Sequence, residues 1–144
     1  MNRGFLLLKQ SNYLIITTHL ESAPCNQHIR KLQCDEIIDL LLEYKSNYIS
    51  DSKADVNILV LGDMNFTNQE ETFSSARIQF IELQSNTSDL YTYDSKYNIE
   101  AIKPFRINLD RVFLHSSDTT ISTQLEILKE ITMSDHFPIL VMLE

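Results

Sequence analysis

The sequence has few of the residues that make cross-links or membrane spans. Its 144 residues include two cysteines, two glycines and no tryptophan. Cys25 and Cys34 fit no metal-ligand spacing, and two cysteines do not make a disulfide framework, so a reduced intracellular location is expected. No run of about 18 apolar residues occurs, so no transmembrane helix is predicted. Phe5–Leu8 is too short for the core of a signal peptide.

Basic residues are also scarce: the chain has 12 lysines and arginines against 20 aspartates and glutamates, a net charge of −8. This balance argues against a protein that coats nucleic acid by bulk electrostatic attraction. It is compatible with an enzyme that engages one phosphate through a bound cation, because the cation supplies the positive charge. The length and a hydrophobic fraction of 43% predict one ordinary globular domain.

Hydrophobic periodicity predicts a mixed α/β layered domain. Strands are predicted at 5–9, 13–18, 56–61, 107–115 and 137–143. A helix is predicted at 25–45, a second and interrupted helix at 70–83, a polar linker at 46–55 and a long loop at 87–104. Residues 121–132 fit either a strand or a helix.

Arg30 precedes Ile37 by seven residues, which places it on the apolar side of the predicted helix. A buried arginine needs hydrogen-bond acceptors. Two interpretations stay open: Arg30 anchors the loop that follows His19, or its stem lies at the core margin with the charge in water.

Polar residues capable of chemistry stand where predicted strands begin or end. The apolar run at 56–61 stops at Gly62-Asp63-Met64-Asn65, and His19 closes an earlier strand. Asp110 stands early in a later strand, and His136 opens the last one. If the last two strands run antiparallel to the first two, we expect all these side chains to converge at one edge of the sheet.

These residue types suit the hydrolysis of a phosphodiester, which needs an activated water, charge stabilisation and help for the leaving oxygen. Asp63 could take the proton from water, and Asn65 could orient that water or donate to a phosphate oxygen. His136, held charged by Asp110, could donate to a non-bridging oxygen.

Asp135 could hold Mg²⁺ directly or through water, and His19 could contact the phosphate or assist the leaving group. Each motif alone has a structural explanation, such as a turn at Gly62-Asp63 or a surface pair at Asp110-Arg111. The ordered set, each member at a predicted strand boundary, is much harder to explain in that way.

That ordered set resembles the endonuclease/exonuclease/phosphatase superfamily, and within it the 5′-tyrosyl-DNA phosphodiesterases. The resemblance rests on the runs Met1–Arg3, Thr17–Ser22, Gly62–Asn65, Tyr91–Asp94, Leu109–Phe113 and Ser134–His136. It implies an α/β fold of DNase type, in which a two-layer β-sandwich is flanked by helices. Residues 1–144 would then be the C-terminal part of one such domain, with the N-terminal half missing.

The resemblance also implies roles for individual residues. Asp63 would be the catalytic acid/base with Asn65 as its phosphate-side partner, and Asp110 would orient His136, which stabilises the transition state. His19 completes the catalytic set, and Asp135 belongs to the network of a Mg²⁺ cofactor, for which Mn²⁺ can substitute. On the substrate side, Ser22 would line the path of the 5′ end, Tyr93 would wall the nucleotide and Arg30 would contribute to binding.

The implied reaction frees a 5′-phosphate end of DNA from a covalently attached tyrosine, as part of DNA repair in the nucleus. The family has a tryptophan where this chain has Tyr93, and arginines where it has Ala23-Pro24 and Phe66-Thr67. No residue here corresponds to the family's metal-binding glutamate, so weak or absent activity is expected. Two alternatives stay open: another phosphodiesterase or phosphatase of this superfamily, or a non-catalytic remnant that binds a partner.

Overall fold

The structure is a computed structural model that describes residues 3–48, 56–67, 72–85, 90–118 and 120–144. The elements of these segments, in chain order, are β1 (Phe5–Gln10), β2 (Tyr13–His19), α1 (Gln27–Tyr48), β3 (Asn57–Asp63), β4 (Ile81–Glu82), β5 (Tyr93–Asp94), β6 (Arg106–Ile107), β7 (Asp110–His115), β8 (Thr123–Ile127) and β9 (Ile139–Leu143). Within the described segments there is no helix with the length and hydrophobicity that a membrane span requires.

The main sheet has five strands in the order β1-β2-β3-β7-β4. β1 and β2 form an antiparallel hairpin, whereas β2 and β3 run parallel and are connected through α1. β7 returns antiparallel to β3. The register pairs His19 with Asp63 and Asp63 with Asp110, so the chemistry-bearing ends of three strands lie side by side.

The central strand β3 is apolar along most of its length because both faces of the sheet are covered there. Ile58 and Val60 are fully buried towards α1, where they pack with Ile38 and Leu41. Leu59 points to the other face and belongs to a second cluster, whose members from the strands are Val112, Leu114 and Leu125. The alternation of side chains along β3 therefore supplies both cores.

The second face of the sheet is covered by β8 and β9, which pair antiparallel as a separate two-stranded sheet. Partly buried side chains from both strands, Ile127 and Val141 among them, pack against Leu59 and Val112. The result is a helix layer, a five-stranded sheet and a small sheet. This arrangement confirms the predicted α/β class with a two-layer β-sandwich.

Helix α1 begins after Asn26, whose carbonyl oxygen accepts the first helical hydrogen bonds from Ile29 and Arg30. The predicted helix at 25–45 is confirmed, and it continues to Tyr48 through part of the predicted linker; residues 49–55 lie outside the described segments. The ambiguous segment 121–132 contains a strand, β8.

The prediction of a helix at 70–83 is wrong for its described part. Residues 72–83 carry an isolated bridge between Ser75 and Ile78 and the short strand β4, with no helical turn. The apolar residues there serve the core instead, since Phe73 packs on both Phe80 and Phe113. The predicted loop at 87–104 contains β5, which pairs with β6, and residues 86–89 lie outside the described segments.

Candidate active site

Gly62 allows the ends of β2 and β3 to lie side by side. Its φ of +135° is rarely adopted by residues with a side chain, and a Cβ atom at this position would overlap the carbonyl oxygen of Thr18. With glycine there, the parallel pairing continues to His19 and Asp63. Only a residue without a side chain therefore permits this approach.

Asp63 stands at the centre of the site. Its Oδ1 accepts a 3.0 Å hydrogen bond from the backbone N–H of Asn65, and its Oδ2 lies 3.4 Å from His19 Nε2. The same Oδ2 lies 4.0 Å from His136 Nε2. The imidazoles of His19 and His136 thus face the same oxygen of Asp63, whose side chain is mostly buried.

Asp110 and His136 form the shortest polar contact of the site. His136 Nδ1 lies 2.6 Å from Asp110 Oδ2. An ionised carboxylate only accepts hydrogen bonds, so Nδ1 carries a proton and donates it. Nε2 is then the ring nitrogen that faces Asp63.

Burial raises the pKa of the Asp63 carboxyl above its ordinary value, and the negative charge of Asp110 raises it further. The positive charges of His136 and His19 act in the opposite direction but do not cancel this effect. The hydrogen bond to Asp110 raises the pKa of His136, although burial opposes it. The site thus favours a charged imidazole beside a carboxyl that holds protons more tightly than usual.

The predicted convergence of His19, Asp63, Asp110 and His136 is confirmed, but its premise is half wrong. β7 does run antiparallel to β3. β9 does not join that sheet, because it pairs with β8 in the second layer. His136 therefore reaches Asp63 from the segment that leads into the second sheet.

An open cleft of about 300 Å³ adjoins the pair, lined by Gly62, Asp110, Ser134 and His136 together with apolar residues. A larger cleft of about 450 Å³ lies beside α1 and is lined by His28, Lys31 and Phe66 among others. None of the four converging residues lines the larger cleft. The smaller cleft is the one that gives access to the chemistry.

Asn65 is buried and has a φ of +51°. Its side-chain amide donates a 3.1 Å hydrogen bond to the carbonyl oxygen of Leu20, the residue after His19. Asn65 therefore ties the ends of β2 and β3 together in addition to touching Asp63 through its backbone. Its contact with a phosphate stays a prediction.

Arg30 is completely buried, and of the two interpretations the structure supports the anchor. Its guanidinium donates hydrogen bonds of 2.8 Å, 3.2 Å and 3.3 Å to the carbonyl oxygens of Ala23, Glu21 and Pro24. These residues form the loop that follows His19. Because Arg30 exposes no surface, any influence on a substrate passes through this loop.

The three remaining predicted site residues are Ser22, Tyr93 and Asp135. Ser22 is exposed and accepts a 3.0 Å hydrogen bond from Arg3. Tyr93 is buried, with its ring edge-to-face against His136 at a centroid distance of 5.4 Å. Asp135 is partly buried, and its Oδ1 lies 3.3 Å from Ser134 Oγ. Their predicted roles in substrate and metal binding stay predictions.

A resident metal does not fit these residues by themselves. Across the described segments, no three side chains of histidine, cysteine, aspartate or glutamate are grouped so that they could hold a metal ion. The carboxylates of Asp63 and Asp110 face imidazoles, and Asp135 contributes a single carboxylate. A magnesium site would need ligands beyond those described.

Sequence reasoning missed Thr92 and Asn98, two buried polar residues behind the site. The hydroxyl oxygen of Thr92 accepts hydrogen bonds from the backbone of Leu109 and Asp110. Asn98 donates a 2.7 Å hydrogen bond to the carbonyl oxygen of Ser134. The run Tyr91–Asp94 was the available signal, since a threonine between two aromatic residues in a loop is well placed to be buried.

The sequence matches no protein-family model and no curated protein. Solved structures do match it. The structure of TDP2 from Caenorhabditis elegans has a TM-score of 0.68 and 19% identity, with 95% of this chain and 44% of that chain covered. The structure of D. rerio TDP2 complexed with single strand DNA product has a TM-score of 0.64 and 21% identity, with 97% of this chain and 60% of that chain covered.

A mannosyl-6-phosphatase from Bacteroides thetaiotaomicron also matches, with a TM-score of 0.59, 14% identity, and coverage of 92% of this chain and 51% of that chain. The chain has the fold of the endonuclease/exonuclease/phosphatase proteins. It spans about half the length of the structures that it matches. At these identities the likeness establishes the fold, and function has to be argued from the site.

Proposed function

We propose that this chain carries the acid–base residues of a phosphodiesterase that removes tyrosine-linked adducts from 5′ ends of DNA. The observation that supports this most strongly is the meeting of Asp63, Asp110 and His136 from three separate segments. Asp63 Oδ2 lies 4.0 Å from His136 Nε2, and Asp110 Oδ2 lies 2.6 Å from His136 Nδ1. Gathering two carboxylates and two imidazoles at one end of a sheet adds little to stability and is typical of functional sites.

Asp63 is proposed to take the proton of the attacking water. A carboxylate with a raised pKa is a better proton acceptor than an ordinary one, and the pKa of Asp63 is raised by its burial. Its Oδ1 is already held by the N–H of Asn65, so the orientation of the carboxylate is fixed. Oδ2 remains on the side of the two imidazoles.

His136 is proposed to stay protonated and to donate from Nε2 to a non-bridging phosphate oxygen. The hydrogen bond from Nδ1 to Asp110 both raises the pKa of His136 and fixes the plane of the ring. Tyr93 packs edge-on against that ring and limits its rotation. A preorganised cation at this point stabilises the charge that develops in the transition state.

His19 and Asn65 are proposed to assist by contacting the phosphate or the leaving group. His19 is exposed on the side of Asp63, where it can meet a phosphate or the leaving tyrosyl oxygen. Asn65 would offer its remaining amide hydrogen to a phosphate oxygen. Ser22 is exposed on the loop that Arg30 anchors, which is compatible with a place along the path of the 5′ end.

A DNA substrate, a nuclear location and a Mg²⁺ or Mn²⁺ cofactor are proposed from the sequence resemblance. The matched D. rerio TDP2 structure holds a single strand DNA product, which supports the choice of substrate. Asp135 is the described residue assigned to the metal. Because further ligands are needed, we propose that the active enzyme includes polypeptide beyond the described residues.

A surface for such additional polypeptide exists beside the site. Leu6 and Leu8 on the edge strand β1 are 74% and 56% exposed, on the face opposite α1. β8 and β9 cover that face near β3 and β7. Light scattering after size-exclusion chromatography tests this part: a monomer that melts in one cooperative transition would contradict a missing partner.

The function is tested with a 5′-phosphotyrosyl oligonucleotide in Mg²⁺, with the chain in excess over substrate because weak turnover is expected. Release of 5′-phosphate ends by wild type should be weak at most, and Asp63→Asn should abolish whatever release there is. Asp35→Asn is the matched control, since Asp35 pairs with Lys31 on the surface of α1. Release that persists undiminished in Asp63→Asn contradicts the proposal.

A second candidate is a phosphatase acting on a small phosphorylated molecule. Two observations favour it. The chain matches a mannosyl-6-phosphatase, and its net charge of −8 is unfavourable for binding DNA but not for binding one small phosphorylated molecule. A panel of phosphomonoesters assayed beside the oligonucleotide separates the two. Faster release of phosphate from a sugar phosphate than of tyrosine from DNA would decide for this alternative.

A further inference from the structure

Thr92 is a fully buried polar residue that touches both backbone segments on which the catalytic pair stands. Its Oγ1 accepts 3.0 Å hydrogen bonds from the N–H groups of Leu109 and Asp110. Its carbonyl oxygen accepts a 2.8 Å hydrogen bond from the N–H of Phe137. One residue therefore holds Asp110 itself and the residue directly after His136.

The chemistry of a hydroxyl suits this arrangement. An oxygen of this type has two acceptor sites, and both are used by adjacent backbone N–H groups at the start of β7. Nothing apolar can replace it without leaving two N–H groups unbonded in a buried place, which proteins rarely tolerate. The bonds also fix where β7 begins, and Asp110 is its first residue.

The segment of His136 is held at its other end as well. Asn98, also buried, donates a 2.7 Å hydrogen bond to the carbonyl oxygen of Ser134. The backbone on both sides of His136 is thus fixed, by Asn98 before it and by Thr92 after it. Of these two residues, Thr92 is the one that also bonds to Asp110.

We propose that Thr92 is a positioning residue that sets the distance and angle of the Asp110–His136 hydrogen bond. Its hydroxyl holds the backbone that carries the carboxylate of Asp110, and its carbonyl holds the backbone next to the imidazole of His136. The catalytic meaning of this role rests on the proposed function, but the geometric role does not. Of the aromatic neighbours, Phe137 has no hydroxyl, and the hydroxyl of Tyr93 is bonded to the backbone of Lys103.

The test is an NMR comparison of the full chain as wild type, Thr92→Val, Thr92→Ser and Thr18→Val. The far-downfield proton on His136 Nδ1 reports the bond to Asp110, and its loss in Asp110→Asn assigns it. Serine keeps the acceptor oxygen, whereas valine keeps the shape and loses it. Thr18 is the matched control because it is buried and its hydroxyl donates a 3.1 Å hydrogen bond to the carbonyl oxygen of Gly4, away from Asp110 and His136.

We expect Thr92→Val to lose the His136 signal and to exchange the amides of Leu109 and Asp110 at least about 10-fold faster, as loss of a buried acceptor implies. Thr92→Ser and Thr18→Val should keep the signal, even where thermal stability falls. A folded Thr92→Val that keeps the signal, or a Thr92→Ser that loses it, overturns the proposal.

Should Thr92→Val fail to fold, the proposal is tested on the wild-type chain instead. Amide exchange of Leu109, Asp110 and Phe137 at low denaturant should then show one shared opening, because all three bond to Thr92. Separate openings for Phe137 and for the other two overturn the proposal. None of these measurements uses a substrate, so hydrolysis that persists in Asp63→Asn would remove the proposed function and leave the role of Thr92 intact.

Discussion

His136 Nε2 lies 4.0 Å from Asp63 Oδ2, although Asp63 belongs to the main sheet and the segment of His136 leads into the second sheet. Asp63 ends β3, and His136 stands three residues before β9. The contact therefore depends on the packing of the two layers. Any change that shifts β8 and β9 relative to β3 should change the distance between Asp63 and His136, even where the strands themselves keep their structure.

Asp63→Asn should abolish phosphodiester hydrolysis and at the same time stabilise the fold at neutral pH. A carboxyl whose pKa is raised on folding stabilises the native state below its unfolded pKa of about 3.9, and that stabilisation is lost as pH rises through the folded pKa. At pH 7 the buried, ionised carboxylate of Asp63 thus lowers the free energy of unfolding, and the neutral amide of Asn removes this cost. Thermal unfolding followed by circular dichroism measures the difference.

The pH dependence provides the control for that prediction. The advantage of Asp63→Asn over wild type should shrink as pH falls through the raised pKa of Asp63, and it should be lost once pH is below the unfolded value of about 3.9. Asp35→Asn, on the surface of α1, should show no such trend. An Asp63→Asn variant that is less stable than wild type at pH 7 would show that the charges of His19 and His136 outweigh burial.

Asp110→Asn should lower the pKa of His136, because the hydrogen bond to that carboxylate is the largest cause of its elevation. The raised pKa stabilises the native state fully below about 6.5, the ordinary value, and this contribution is lost as pH rises through the folded value. NMR titration of the His136 ring measures the shift directly. An unchanged titration would mean that Asp63 and Asp135 hold the imidazolium without Asp110.

How far the sequence predicts this site depends on whether a signal is local. His19 and Asp63 could be placed because each ends a strand, and the apolar run before Asp63 is unmistakable. That β9 belongs to a second sheet could not be predicted. Its pairing with β8 depends on packing between the layers, and its sequence would alternate in the same way in either sheet.

The failed helix at 70–83 has a similar cause. Phe73, Ile78 and Phe80 are spaced closely enough to suggest helical periodicity, but they are drawn to the core by contact with Phe113 on β7. Such a contact spans distant parts of the chain and is not visible in a local window. Thr92 escaped notice for the same reason, because its partners lie 17 and 18 residues away.

Arg30→Met should destabilise the fold by about 3 kcal/mol, because it removes charge-assisted hydrogen bonds to three partly buried carbonyl oxygens. Lys31→Met is the matched control on the next position of α1. Its ammonium group pairs with Asp35 on the surface, and its loss should change stability by less than about 0.5 kcal/mol. Urea unfolding of both variants measures the difference, and equal effects would contradict the anchoring role.

Gly62→Ala should destabilise the fold by about 3 kcal/mol or more, because the added Cβ meets the carbonyl oxygen of Thr18 and the backbone has a φ of +135°. The strand ends must then separate, so the 3.4 Å contact between His19 and Asp63 should be lost as well. Gly4→Ala is the matched control, since a Cβ there meets nothing within 4 Å, and it should change stability by less than about 0.5 kcal/mol. Urea unfolding gives both values. If Gly62→Ala melted like Gly4→Ala, the close approach of β2 and β3 would not be what positions Asp63.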